Sequence, residues 1–194
     1  MQDSDIELYH RFLDGDEQGL EQLISLYQHA LLRFIYGYVR DVGLAEDVLT
    51  DVFLTLYYKR SFKEKDGVAL KTYVFKIARN KALNVLKKRL RRKELSLESL
   101  TQDGNFALED PVANASPHDA LETVERNQAL YAALAKLKKE YRETLYLRFF
   151  QNLSPEEIAK ITNKNVKQVY NLLSRGKNAL KEELLSGGFP YEIV

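Results

Sequence analysis

The chain has no cysteine. Disulfide frameworks and thiolate metal sites are thereby excluded, and a reducing cytoplasm fits this composition. No apolar run approaches the roughly 20 residues of a membrane span, so no membrane insertion of its own is expected. The first five residues, Met1 to Asp5, are acidic and lead into an amphipathic stretch, unlike a secretory signal. The histidines, His10, His29 and His118, are scattered and lack metal-ligand spacing. There is no phosphate-binding glycine-rich loop, and the paired carboxylates Glu156 and Glu157 are explained by helix capping. These gaps leave no catalytic residue, metal or cofactor to nominate, and the chain is not expected to be an enzyme. Strand-like alternation of useful length and internal repeats are also missing.

What is present is globular and helical. Hydrophobic residues make up 45% of the chain, enough to place it outside the disordered class. Its 194 residues suffice for one medium domain or two small ones. The net charge of +1 conceals blocks of opposite sign. Residues 1–58 sum to −8, residues 71–93 to +10, residues 94–125 to −8 and residues 126–194 to +5. Blocks of this kind usually face different partners.

Apolar residues at three- and four-residue spacing predict successive helices. Ser4 and Glu7 form a capping-box pattern for the first, with Leu8, Phe12 and Leu13 inward. A turn at Asp14-Gly15-Asp16 precedes a second helix carrying Leu20, Leu23, Ile24, Tyr27, Leu31 and Ile35. Asp41-Val42-Gly43 is expected to break it, and a third helix runs from about Leu44 through Leu56. A polar loop covers 59–68, and a fourth helix extends from about Ala69 to Arg92. Residues 94–119, with Asp103-Gly104, Asp110-Pro111 and Ser116-Pro117, read as an extended acidic linker. Helical pattern resumes near Leu121 and continues to about Leu185. The expected fold is all-α: two small helical domains, 1–93 and 120–194, joined by a flexible acidic linker at 94–119 and moving independently when free.

The sharpest local signal is a helix-turn-helix over residues 153–180. Ser154 is a natural N-cap, Pro155 suits the first helical position and Glu157 completes a capping box. Ile158, Ala159 and Ile161 supply the buried face of this short helix. Asn163 tolerates the left-handed conformation that a tight turn needs, and Asn165 caps the second helix. There Val166, Val169, Leu173, Gly176 and Leu180 line one face. The opposite face presents Lys167, Gln168, Asn171, Ser174, Arg175 and Asn178, and Lys164 and Asn165 of the turn stand beside it. These side chains have the reach and the donors and acceptors to meet base edges and phosphates in a major groove. By pattern alone, an ordinary helix pair with a solvated polar face, or a protein-binding helix-turn-helix, stays open.

Residues 71–93 hold ten Lys and Arg and no acid. Lys76, Asn80, Asn84, Lys87 and Arg91 share one helix face, with Tyr73, Val74 and Ile77 roughly opposite. Uncompensated positive charge points to a polyanion. The apolar stripe is too narrow to insert into an anionic membrane surface.

Three ordered segments resemble a known family. Ala45-Glu46-Asp47-Val48-Leu49-Thr50-Asp51-Val52-Phe53-Leu54 resembles a helix of sigma factor region 2, and Lys71-Thr72-Tyr73-Val74-Phe75-Lys76-Ile77-Ala78-Arg79-Asn80 resembles the segment after it. Leu134-Ala135-Lys136-Leu137, Tyr141-Arg142-Glu143 and Leu153-Ser154-Pro155-Glu156-Glu157-Ile158-Ala159 resemble region 4. Their order and spacing resemble the two-domain extracytoplasmic-function (ECF) group of bacterial RNA polymerase sigma factors. Thr50 stands where that family usually has Gln, Tyr73 where it has Trp, and Lys138 where it has Pro. Tyr170 and Leu172 stand where basic residues are common, which bears on the DNA recognised.

The resemblance implies promoter-specific transcription initiation without catalysis. Region 2 would dock on core RNA polymerase through Asp47, Thr50, Asp51 and Leu54, although Asp47 and Asp51 read alone are a solvated helix edge. The loop residues Phe62, Lys63 and Lys65, with Lys76, Arg79, Asn80, Asn84 and Lys87, would hold the downstream (−10) promoter element. Phe62 and Tyr73 are the aromatic candidates for stacking on an opened strand, Tyr73 being read also as core. The helix-turn-helix residues from Lys164 to Asn178 would read the upstream (−35) duplex. Family members are often held inactive by an anti-sigma factor, which the resemblance makes a candidate third partner. The competing reading is a conventional helix-turn-helix regulator acting without polymerase. That reading leaves an acidic helix placed before a basic one unexplained, and no dimerisation element is apparent.

Overall fold

The computed structural model describes residues 4–62, 68–95 and 130–187. The linker from residue 96 onward, Lys63 and Lys65 lie outside the described residues. Helix α1 (Asp5–Leu13) opens with the expected capping box: the Ser4 hydroxyl accepts from the Glu7 N–H, and the Glu7 carboxylate accepts from the Ser4 N–H. Gly15, at φ 100°, turns the chain into α2 (Glu17–Val39). Asp16 caps α2 by accepting from the Gln18 N–H at 3.0 Å, while Arg11 holds its other oxygen at 2.6 Å. The break after α2 is tighter than the sequence pattern suggests. Arg40 takes the left-handed conformation (φ 54°), and Asp41 already caps α3 (Val42–Lys59) by accepting from the Leu44 N–H at 3.0 Å. Asp41 therefore begins the next helix instead of merely interrupting the last. Helix α3 ends at Arg60, whose guanidinium lies 4.6 Å over the Phe12 ring. Helix α4 (Leu70–Leu95) packs Leu70, Val74, Phe75, Ala78 and Ala82 inward.

The second half is more segmented than its continuous helical pattern predicts. A helix over 130–136 (α5) is followed by α6 (Lys139–Leu145), which widens into a π-helical turn at Tyr146–Phe150. Such turns insert a residue into the helical repeat and re-aim the side chains that follow. Asn152 (φ 54°) then leads into α7 (Pro155–Thr162), and Asn163 (φ 54°) leads into α8 (Val166–Ser186). Ser154 and Glu157 form the predicted capping box, with Pro155 at the first helical position. The fold is all-α: every element among the described residues is a helix, arranged as two helical domains.

The two domains are not apart. Buried residues from α1–α4 and from α5–α8 form one hydrophobic cluster. Aromatic rings run through it in sequence: Phe75 to Phe34 at 5.2 Å, Phe34 to Tyr146 at 5.9 Å, Tyr146 to Phe150 at 5.3 Å and Phe150 to Tyr131 at 5.4 Å. The expectation of independent domains rested on the linker's lack of a core. It missed that each domain completes the other's apolar surface.

Gly19 marks the closest packing between α1 and α2. A Cβ there would lie 2.4 Å from the Leu8 carbonyl oxygen and 2.8 Å from the Phe12 nitrogen, both backbone atoms. Helix propensity alone favours Gly19→Ala by about 1 kcal/mol. The clash should reverse that sign and cost about 1–3 kcal/mol net, as overpacking does. A lowered urea midpoint for Gly19→Ala is the expected result, and a raised midpoint would show that α1 shifts freely on α2.

Candidate nucleic-acid and docking surfaces

Helix α8 is anchored by Val169, Leu173 and Gly176, which are buried. Packing at Gly176 is close: the Leu145 and Tyr141 side chains lie 3.3 Å from where a Cβ would sit. With that face fixed, Lys167, Gln168, Asn171, Ser174, Arg175 and Asn178 are all exposed on the rest of the helix. Three of the nominated residues have prior commitments. Gln168 completes a second capping box: its amide oxygen accepts from the Asn165 N–H at 2.9 Å, and Asn165 accepts from the Gln168 N–H at 2.8 Å. Lys164 donates to Glu140 at 2.6 Å. Tyr170, 56% exposed, joins this open surface, a member that a search for basic and amide side chains passes over.

On α4 the sequence nominees separate. Asn80, Asn84 and Lys87 are exposed and Lys76 is half-buried. Arg79 turns toward the second domain and donates to Glu143 at 2.6 Å, with side-chain exposures of 13% and 3%. One turn and two turns before it, Phe75 is buried, the Thr72 hydroxyl donates to Glu157 at 3.0 Å, and the Lys71 amino group donates to the Gln151 carbonyl at 2.8 Å. Phe62 requires a correction. Its ring is 7% exposed, 5.7 Å edge-on from Tyr9 and 5.3 Å from Tyr73, so it is core and not a stacking platform for a base. An aromatic beside a polar loop looked available in sequence because the burial comes from α1, more than fifty residues away.

On α3 the four nominated docking residues, Asp47, Thr50, Asp51 and Leu54, are all exposed, at helical spacing along one stripe. Tyr58, 75% exposed, extends the stripe by another turn. Asp51, exposed, lies 3.7 Å from the half-buried Lys81, a loose surface pair that holds little of either charge in place.

The junction between the domains is polar as well as apolar. Arg142 donates to the Gly37 carbonyl at 2.7 Å and to the Ala135 and Leu137 carbonyls at 3.1 and 3.2 Å. Burial, together with nearby Arg40, pulls its pKa down to about 10. Arg40 in turn donates to the Ala135 carbonyl at 2.6 Å, and the Tyr146 hydroxyl donates to the Ala30 carbonyl at 2.8 Å. The Tyr38 phenol beside Arg79 and Glu143 is pushed well above its usual range, first by burial and then by the Glu143 charge.

The geometry thus defines a helix-turn-helix domain closed against a second helical domain that carries an acidic stripe and a basic helix. Comparison with known proteins makes the class specific. The "Sigma-70 region 2" family pattern matches residues 23–93, and "Sigma-70, region 4" matches residues 127–180. The RNA polymerase sigma-H factor of Pseudomonas aeruginosa is 30% identical over 187 residues, covering 94% of this chain and 95% of that protein. The ECF RNA polymerase sigma factor SigW of Bacillus subtilis is 25% identical over 171 residues, covering 88% and 91%. Among solved structures, the sigma factor RpoE in complex with the anti-sigma factor NepR from Bartonella quintana superposes with a TM-score of 0.67 at 25% identity, covering 84% of this chain and 95% of that one. CnrH in complex with the cytosolic domain of CnrY shares the fold, with a TM-score of 0.63 at 18% identity, covering 95% and 99%. The chain belongs to the sigma-70 family, in its extracytoplasmic-function group.

Glu157 ties the helix-turn-helix to α4 and makes the junction acid-sensitive. Burial works against its charged form, but hydrogen bonds from the Ser154 N–H and hydroxyl and from Thr72 outweigh this and hold its pKa below the ordinary 4.5. A carboxyl with a depressed folded pKa adds stability that is present above its unfolded value and lost as pH falls through the folded one. Thermal melts should therefore show stability declining below about pH 4.5, and Glu157→Gln should flatten part of that decline. Identical profiles for the two proteins would remove Glu157 from the account.

Proposed function

We propose that this sigma factor directs promoter-specific initiation by binding core RNA polymerase through α3 and promoter DNA through α4 and α8. The observation that carries the reading is the presence, on one chain, of the exposed α3 stripe and the exposed α8 face. A helix-turn-helix regulator acting alone needs the second and has no use for the first. Asp47, Thr50, Asp51 and Leu54 form the docking surface, with Tyr58 as an added aromatic contact. The division of labour follows the sequence: residues 1–93 dock and hold the downstream element, 94–119 link, and 120–194 read the upstream duplex.

Lys167, Asn171, Ser174, Arg175 and Asn178 meet bases and phosphates in the major groove, where amide and guanidinium forks distinguish base pairs. Lys164, Asn165 and Gln168 set the start of α8, and what they offer DNA is limited by the bonds they already make. Lys76, Asn80, Asn84 and Lys87 hold the opened strand, joined by Lys63 and Lys65 of the loop. The solved complex of RpoE with the anti-sigma factor NepR supports a regulatory partner of the same kind here.

Gel filtration with core enzyme from the same source should give a stoichiometric complex. Changing Asp47 and Asp51 together to Lys should weaken it about tenfold or more, because like charges facing each other across an interface cost several kcal/mol. Asn171→Ala should leave that complex intact and relax the preference at one upstream position by about 1–3 kcal/mol. Failure of the wild type to bind core enzyme would favour the polymerase-independent regulator.

A further inference from the structure

The two DNA-facing surfaces are treated unequally by the closure of the domains. The polar face of α8 takes no part in it: Lys167, Asn171, Ser174, Arg175 and Asn178 remain exposed. One face of α4 is occupied. Arg79 meets Glu143, Thr72 meets Glu157, and Lys71 meets the Gln151 carbonyl. These residues fall at seven- and eight-residue spacing, so they share a face two turns long, and Phe75 between them is buried. Both acidic partners come from the helix-turn-helix domain, Glu143 on α6 and Glu157 on α7. A carboxylate on a guanidinium has the chemistry of a phosphate oxygen on the same group: an anionic oxygen accepting a charge-assisted hydrogen bond.

We propose that the second domain is an internal occupant of α4, with Glu143 and Glu157 standing where strand phosphates would otherwise bind. The free chain then keeps its duplex-reading helix open while part of its strand-holding helix is closed. Opening of the domains exposes Arg79, Lys71 and Thr72 together, so affinity for single strands rises on opening and affinity for duplex does not. This goes beyond the proposed function but rests on its assignment of α4 to the opened strand and α8 to duplex.

The test uses the full chain. Because there is no native cysteine, Ser25→Cys and Glu182→Cys, both at exposed positions, accept a donor and acceptor dye that report the separation of the domains. Two opening variants are compared with wild type. Glu143→Gln removes the charge facing Arg79. Tyr146→Phe keeps the ring and every charge, and removes the hydroxyl that donates to Ala30 and accepts from the Gln151 amide. Fluorescence anisotropy measures binding to a mixed-sequence single strand of about 20 nucleotides, longer than the roughly 4–16 that a small domain covers, and to a duplex of the same length.

Energy transfer should fall in both variants, with single-strand binding about tenfold tighter, as when a competent fraction rises from about a tenth to nearly all. Duplex binding should stay within about twofold of wild type, since equal competence gives no shift. The proposal is overturned if the variants open without gaining single-strand affinity, if neither variant opens, or if wild type already binds single strands as tightly. Loss of duplex binding in all three proteins, together with no complex with core enzyme, would instead overturn the underlying functional reading.

Discussion

The arrangement of the whole molecule depends on one ion pair, Arg79 with Glu143, closed at 2.6 Å and nearly removed from water. Desolvating two charges costs several kcal/mol per ion, and their attraction repays this only when geometry and surrounding polar groups are good. Such a pair is therefore a better register device than a source of net stability. Its strength lies in the penalty for misalignment: separating the partners without rehydrating them leaves a bare buried charge, a cost of about 3–5 kcal/mol. Thr72 and Glu157 repeat the constraint two turns away along α4, about 10 Å at 1.5 Å per residue. Two fixed points on one helix determine both its rotation and its slide against the second domain. The aromatic series from Phe75 to Tyr131 can then stack in one order only.

Around that anchor, the domains exchange donors at helix ends. The last carbonyls of any helix lack intrahelical partners and attract cations. Arg142 reaches Gly37 in the final turn of α2, and Arg40, which ends α2, reaches Ala135 near the end of α5. Within the first domain, Arg89 makes a longer contact of 3.5 Å to the Val39 carbonyl at the same helix end. Each domain thus finishes the other's helix termini as well as its apolar core. The carbonyl contacts are the part of this junction that solvent can replace on separation, because water also satisfies those oxygens.

Local chemistry was legible in the sequence, and distant contact was not. Ser4, Ser154, Asn163 and Asn165 do what their residue types dictate, because caps and tight turns are decided within four residues. Gln168 was half legible: its position three residues after a capping Asn marks a capping box, yet its side chain also suits base reading, and the local bond takes precedence in the free protein. Phe62 and Arg79 could not be placed by spacing. Phe62 is buried by Tyr9 of α1, and Arg79 is claimed by Glu143, 64 residues on. The exposed stripe on α3 was legible because a helix that buries Ala45, Val48, Val52 and Leu56 must turn Asp47, Thr50, Asp51 and Leu54 outward.

The same reasoning explains why α4 reads ambiguously as an amphipathic helix. A helix with two faces, one buried and one solvated, leaves a clear apolar stripe. Helix α4 has three: Val74, Phe75, Ala78 and Ala82 enter the core, Lys71, Thr72 and Arg79 meet the second domain, and Asn80, Asn84 and Lys87 face solvent. Long basic side chains serve the second face well, since their apolar stems pack while their heads find oxygen. The positive block at 71–93 is therefore not uniformly available to a polyanion. Lys71, Arg79, Lys81 and Arg89 already have oxygen partners within the protein, whereas Lys87, Lys88 and Arg91 stay exposed. A charge count taken from sequence overstates the field that the closed protein offers to DNA, and separating the domains restores part of the difference along one side of a single helix.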